Sequence, residues 1–432
     1  MKIFRIILLF FVLSGISRNS YGVDYFDVNS PRFRPLQVVL VINPPGVSSQ
    51  KLYNAIRENL ERTLFFSVVD PVVAAASELA FVWDLQLSNQ RQTVQGILKD
   101  LKEQRIRRDF EIKIRNSDLQ QAARELTDQM IQEVLNVPGL GQSRIAYTAK
   151  PPGSNKQIRL IDFDGKVDER FSYELGASNL AHWSPDGQIL LYTHFTTTST
   201  ELALQPVDRP QARLLRFPRE IQPMGGSWGP DGEEILVTVM KEGNSDIFRY
   251  QLKTGEMFPL VKWPSLETSP AWSPDGQTIA FVSDRQRFRQ PGIYLYDIES
   301  REVKSLPFKG KYSSAPRWSP NGRQLLFEGR QEKYFQIFKY NLDNDQIQQL
   351  TFGPFNSEQP DWSPNGQQIV FSSRRGGVHK LFFMSAYGGR KIRVTNQPAG
   401  VAESGPSWSK LFYMKRTPKI FFFLLFCPFL LW

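Results

Sequence analysis

One five-residue motif recurs through the chain and limits its fold more than any other feature. Trp183-Ser184-Pro185-Asp186-Gly187 is followed by Trp228-Gly229-Pro230-Asp231-Gly232 and Trp272-Ser273-Pro274-Asp275-Gly276. Trp318-Ser319-Pro320-Asn321-Gly322 and Trp362-Ser363-Pro364-Asn365-Gly366 continue the series, and a broken sixth copy stands at Trp408-Ser409-Lys410. The Trp-to-Trp steps are 45, 44, 46, 44 and 46 residues. A fixed period of this size, with strand patterns inside it, predicts an array of propeller blades.

Each copy reads as a tight turn. Pro presets φ, Asp or Asn suits the next position, and Gly follows. Short apolar strands come after the turn: Ile189–Tyr192, Ile235–Val239, Ile279–Val282, Leu325–Phe327 and Ile369–Phe371. A third strand follows in each unit, as at Asp246–Leu252, Gly292–Ile298, Gln336–Leu342 and Lys380–Ser385. A weaker fourth closes it, as at Val303–Phe308 and Ile347–Phe352. Four antiparallel strands per unit make one blade.

Ile145-Ala146-Tyr147 occupies the same phase as Ile279-Ala280-Phe281, so a blade also begins there, without a Trp-bearing strand before it. The strand around Trp408 has no blade after it. The economical solution is six blades, with the C-terminal strand completing the first. Such closure removes the free sheet edges that invite aggregation.

Residues 1–22 read as a secretory signal: Lys2 and Arg5, then apolar Ile6–Leu13, then a small-x-small site at Ser20-Tyr21-Gly22. The other reading is an uncleaved anchor, for which the apolar run is short. Removing the segment leaves a charge of +7 over 410 residues. The basic residues are scattered, apart from a cluster at 105–108, which argues against nucleic-acid binding. The single cysteine, Cys427, leaves no internal disulfide framework.

Residues 23–138 carry no repeat and read as a small mixed α/β domain. Gln37–Ile42 is a buried-type strand, and Leu52, Ile56, Leu60 and Leu64 mark a helix. Phe65–Val69, Leu79–Leu87 and Phe110–Ile114 read as strands. Ser117 with Gln120 reads as the capping box of a last helix, and 138–141 as a linker. The propeller is then expected over 139–409, with an atypical hydrophobic tail at 410–432. That tail reads as an altered gene end or as a membrane-associating segment.

Sites of chemistry are mostly decoys. Gly225-Gly226-Ser227-Trp228-Gly229 matches a nucleophile elbow but is in phase with the blades, without the α/β-hydrolase context that motif requires. The 3 histidines, His182, His194 and His379, lack metal-ligand spacing. No catalytic residue, metal or cofactor is expected. Asp246 and Asp297 read as capped strand ends or as cation ligands in a channel.

The repeats, with Asp27-Val28-Asn29-Ser30-Pro31, Phe33-Arg34-Pro35 and Arg144-Ile145-Ala146-Tyr147, resemble the TolB family, periplasmic propellers of the Tol–Pal system. The resemblance covers roughly 24–409 and departs from the family at 71–116, at Arg124 (usually His) and at Lys410 (usually Pro). It implies a non-enzymatic periplasmic scaffold, monomeric and touching membranes only through its partners, that supports outer-membrane integrity and constriction at division. A peptidoglycan-associated lipoprotein, Pal, would be held at the propeller mouth. The stretches before each Trp would form it: 178–180, 222–224, 266–268, 312–314, 356–359 and 402–404. The candidates there are Gln222, Pro223, Met224, Leu266, Glu267, Thr268, Ser313, Ser314, Glu358 and Gln359. An N-terminal segment with Tyr25, Phe26, Asp27, Val28 and Phe33 would engage a TolA-like inner-membrane protein. The alternatives are a propeller that gates a peptidase, or one that binds a small ligand or cell wall; a catalytic domain would favour the first.

Overall fold

The computed structural model describes residues 34–70, 79–172, 176–286 and 290–410. Residues 1–22, where a secretory signal is expected, and the 411–432 tail lie outside them.

The first unit is a five-stranded sheet backed by two helices. Strands β1 (Leu36–Asn43), β2 (Phe66–Val68), β3 (Leu79–Ser88), β4 (Thr93–Asp100) and β5 (Arg105–Lys113) lie in the order β2-β1-β3-β4-β5. Strand β1 runs parallel to β2 and β3, and the remaining pairs are antiparallel. Helices α1 (Val47–Arg62) and α2 (Leu119–Leu135) bury Leu52, Ile56, Leu60, Leu126 and Met130 in one core with Trp83 and Leu85. Burying each such side chain stabilises the fold by about 1.5–3 kcal/mol.

Two local readings are corrected. The α2 cap is Asp118, whose carboxylate accepts from Gln121 N at 2.9 Å. Ser117 sits one residue too early, at φ 58°, and caps nothing. Strand β4 was not expected. Its alternation is blurred because apolar Ile97 points outward at 37% exposure. Gly96 belongs there for space: a Cβ would stand 2.4 Å from Leu85 Cδ2.

Six four-stranded sheets follow among the described residues, one per blade. Blade I pairs the C-terminal strand Ala402–Trp408 with Arg144–Lys150, Gln157–Asp162 and Asp168–Arg170. Blades II to VI have their inner strands at Ala177–Trp183, Gln222–Trp228, Glu267–Trp272, Tyr312–Trp318 and Ser357–Trp362. The outer strands run in sequence order, and the fourth is short, as in Val303–Ser305.

The ring is closed as expected. Trp408 lies opposite Ile145, and Ser409 N donates to Arg144 O at 2.8 Å. The closing strand is also pinned from blade VI. Glu403 is fully buried and accepts from Lys380 Nζ at 2.9 Å, from Leu381 N at 3.1 Å and from the Thr395 hydroxyl.

The motif residues supply both turns and seams. Ser273 Oγ donates to Asp275 Oδ1 at 2.5 Å and accepts from Thr278 N at 2.9 Å, while Gly276 takes φ 76°. The indoles join blades. Trp183, Trp228, Trp318 and Trp362 donate from Nε1 to Ser407 O, His182 O, Ala271 O and Arg317 O at 3.0–3.1 Å. Each acceptor directly precedes the tryptophan of the preceding blade.

The α/β unit docks on the turn face of the propeller. Arg62 Nε donates to Phe163 O at 2.8 Å, and Asn365 Nδ2 donates to Pro138 O at 2.8 Å. Arg124 bridges Asp164 at 2.7 Å and Asp162 at 2.9 Å.

Candidate functional site

The inner strands line a central channel, and a repeated irregularity decides which side chains enter it. Each strand carries a register shift ahead of its tryptophan. The third residue before the tryptophan is left-handed in all six: Leu180, Gly225, Ser269, Ala315, Gln359 and Gly405, at φ 52–61°. This is a β-bulge with one extra residue. Strict alternation would place the first, third and fifth residues before the tryptophan on one face. The bulge brings the fourth onto the channel side with the first instead, as Met224 and Ser227 show against Thr238 and Leu236.

Two cavities share the channel. The one on the bulge face has a volume of about 510 Å³ and is lined by Met224, Leu266, Thr268, Ser314, Gln359 and others. The one on the turn face, about 450 Å³, is lined by the six tryptophans and by motif prolines. His182 and Arg317 belong to both walls. Arg317 Nη2 and His182 Nε2 meet at 3.1 Å, and Arg317 Nε lies 3.9 Å from Asp361 Oδ1. These three residues constrict the channel. Burial and the Arg317 charge hold the His182 imidazole well below its usual range, so it stays neutral at pH 7.

Five of the ten expected mouth residues thus meet in one cavity: Met224, Leu266, Thr268, Ser314 and Gln359. Gln222 is exposed near them, and Glu358 is half-buried. Three readings are corrected. Pro223, Glu267 and Ser313 are the fifth residues before their tryptophans, which the bulge turns into the blade. Glu267 has no exposure and accepts from Ser265 Oγ at 2.5 Å and Ser283 Oγ at 3.0 Å. These side chains position the mouth from below and cannot touch a partner.

Sequence reasoning missed the polar floor. Glu328, on the second strand of blade V, accepts from Ser314 Oγ at 2.5 Å and from Gln359 N at 2.8 Å. Burial raises its carboxyl above the ordinary range. Burial and the Glu328 charge push Glu358 up to about 7. The signal available was an acid inside the apolar run Leu325-Leu326-Phe327-Glu328.

Hydrolytic geometry is lacking at the contact of Ser372 with His379. Ser372 Oγ and Glu358 Oε2 both approach Nδ1 of His379, at 3.1 and 3.5 Å, so the imidazole does not relay between them. Ser372 is also fully buried and donates to Glu403 O at 3.0 Å. Ser227 Oγ accepts from Trp272 N at 3.0 Å, which makes the elbow-like motif a seam between blades. Asp297 accepts from Ser300 N at 2.8 Å, closing a turn. Among the described residues, no group of three or more His, Cys, Asp or Glu is arranged to hold a metal. Tyr25, Phe26, Asp27, Val28 and Phe33 lie outside the described residues.

Residues 132–412 match the family model described as the TolB beta propeller domain. The Tol-Pal system protein TolB of Anaeromyxobacter sp. (strain K) is 28% identical over 270 residues, covering 57% of this chain and 61% of that protein. Its counterpart in Ruthia magnifica subsp. Calyptogena magnifica is 28% identical over 153 residues, 34% of this chain and 36% of its own length. The matches therefore span less than two thirds of these relatives. The crystal structure of TolB from Acinetobacter baumannii superposes with a TM-score of 0.76 at 22% identity, covering 87% of this chain and 97% of that one.

Proposed function

Because the chain belongs to the TolB β-propeller family, we propose that it is a non-catalytic periplasmic scaffold of a Tol–Pal envelope system. On this reading it holds a peptidoglycan-associated lipoprotein at the bulge-face mouth and engages a TolA-like inner-membrane protein through residues 23–35. That arrangement links inner membrane, cell wall and outer membrane during constriction.

The observation that carries the reading is the bulge-face cavity. Its wall combines Met224 and Leu266 with Thr268, Ser314 and Gln359 around an acidic floor. An apolar centre with uncharged polar groups suits a wet protein interface. The lining differs from blade to blade, so the mouth presents one asymmetric surface.

The test is a titration of the purified lipoprotein. Met224→Glu with Thr268→Arg should weaken binding at least about tenfold, or roughly 1.4 kcal/mol, because unpaired charge is desolvated. Asp231→Arg with Asn321→Glu, on the turn face, should change it little. Equal affinities for the two double variants would place the lipoprotein elsewhere. A chain lacking residues 23–35 keeps the mouth and, in the same assay, should lose only the TolA-like partner.

A further inference from the structure

The residues directly before the six tryptophans form a ring across the channel. Ser407, His182, Ser227, Ala271, Arg317 and Asp361 hold this position in blades I to VI, and all six line the turn-face cavity. They make its floor, because blades repeat by rotation. Its wall is apolar, built from the tryptophans and the motif prolines. Its volume of about 450 Å³ falls within the ~300–1,000 Å³ of ligand pockets.

Arg317 brings donors to this floor that the chain leaves unused. A guanidinium carries five N–H groups. Two of them donate, from Nη1 to Pro316 O at 2.9 Å and from Nη2 to His182 Nε2 at 3.1 Å. Arginine has no acceptor, so His182 Nε2 accepts and the imidazole proton sits on Nδ1. Nε of Arg317 is buried and has no hydrogen-bond partner among the described residues. Asp361 Oδ1, at 3.9 Å, is beyond hydrogen-bond reach. The other oxygen of that carboxylate, Oδ2, accepts from Trp408 N at 2.7 Å. A buried charged donor left unpaired is costly, so the floor suits an acceptor that the chain itself does not supply. Ser227 stands in the same ring. Its Oγ accepts from Trp272 N at 3.0 Å, which leaves the hydroxyl proton for a further acceptor.

Charge sets the class of ligand. The charged residues lining the cavity are Arg317, Lys410 and Asp361, two cations and one acid, which leaves one net positive charge. A monoanion matches that balance. A dianion would bring its second charge against Asp361, and a cation would meet Arg317. The planar guanidinium favours a planar carboxylate, and the apolar wall calls for an apolar body behind it.

We infer that the turn-face cavity is a binding site for a small monocarboxylate with an apolar, ring-sized body. The carboxylate accepts from Arg317 Nε and Ser227 Oγ, and the body lies among the tryptophans and prolines. The constriction at Arg317 keeps this site apart from the bulge-face mouth, so the inference does not depend on the lipoprotein reading.

The test titrates the full chain with phenylacetate, its neutral isostere phenylacetamide, inorganic phosphate and tetramethylammonium, each followed by tryptophan fluorescence. Saturable binding of phenylacetate is expected, at least tenfold tighter than that of the other three. Arg317→Gln should weaken it at least tenfold. Asp361→Asn keeps the oxygen that accepts from Trp408 N and removes the competing charge, so it should tighten binding at least threefold. Met224→Glu with Thr268→Arg, in the bulge-face mouth, should leave it unchanged. Circular dichroism checks that each variant folds, and Asp361→Asn decides alone should Arg317→Gln fail to fold. No saturable response to phenylacetate, equal binding of any of the other three, or an affinity unmoved in a folded floor variant would overturn the proposal. Loss of phenylacetate binding in the mouth variant would place the ligand in the other cavity and overturn it too.

Discussion

At the scale of single residues, the fold rests on polar groups that burial has left with few partners. Asp128, on α2, accepts from Gly141 N at 2.8 Å and holds the chain where it enters the propeller. Space there is tight: a Cβ at Gly139 would lie 2.1 Å from the Asp128 carboxylate, which explains glycine in the linker. Burial pushes the Asp128 carboxyl up to about 7, against the hydrogen bonds from Gly141 and Leu140. A carboxyl raised in the folded state gives stability that is fully present below its unfolded pKa, near 3.9, and lost as pH rises through about 7. The protein should therefore melt lower at pH 8 than at pH 5.5. Asp128→Asn keeps the acceptor oxygen and removes the charge, so its melting temperature should vary less over that window. The ceiling is about 4 kcal/mol over the whole range from about 3.9 to about 7, at 1.36 kcal/mol per unit, and about 2 kcal/mol of it falls between pH 5.5 and 7. Thermal melts of both proteins between pH 5 and 8 check this, and parallel curves would count against it.

At the scale of elements, the decisive one is the last strand. Ala402–Trp408 supplies the inner edge of blade I and carries Glu403 into its buried pair with Lys380. Breaking such a pair by removing one partner costs about 3–5 kcal/mol. Deleting from Ala402 onward removes Glu403 and bares the edge at Ile145–Tyr147, so it should cause aggregation, visible by size-exclusion chromatography. Deleting only from Leu411 should leave a folded monomer. A stable monomer from the longer deletion would contradict closure by this strand. The bulges belong to this scale too. Four of the six left-handed positions are not glycine, so the ring bends its inner strands despite a local conformational cost.

At the scale of the whole molecule, two units meet through a few buried charges. Arg124 joins α2 to Asp162 and Asp164, and Asp164 keeps only 1% side-chain exposure. Burial disfavours the Asp164 charge, but the bond and charge of Arg124, with the hydrogen bonds from Lys166 N and Gln120, together outweigh this and hold the carboxyl below the ordinary range. Arg124→Ala should leave the buried Asp164 without its cation, while Asp162 keeps Arg144 at 3.0 Å. We expect a loss of about 3–5 kcal/mol and, in calorimetry, a single unfolding transition split into two as the units uncouple. An unchanged single transition would show that Arg62 on Phe163 O and Gln368 Nε2, which donates to Arg62 O at 2.9 Å, hold the junction without it.

Much of this architecture is legible in the chain itself. The Trp-Ser-Pro-Asp-Gly period, the phase of Ile145–Tyr147 and the stray strand at Trp408 predict six blades and their closure, because turn chemistry and strand alternation are written within a few residues. The inward faces were not legible. A one-residue bulge reverses side-chain parity, and its left-handed residue is Leu, Gly, Ser, Ala or Gln, so no residue type announces it. That is why Glu267 and Ser313 read as mouth residues yet lie inside the blade. The Arg317–His182 contact joins residues 135 apart in sequence, and Arg124 reaches its acids across 38 and 40. Local pattern sets turns, strands and their count. Only closing the ring and docking the first unit against it determines which charges are buried together, because those partners are chosen by space and leave no spacing in the sequence.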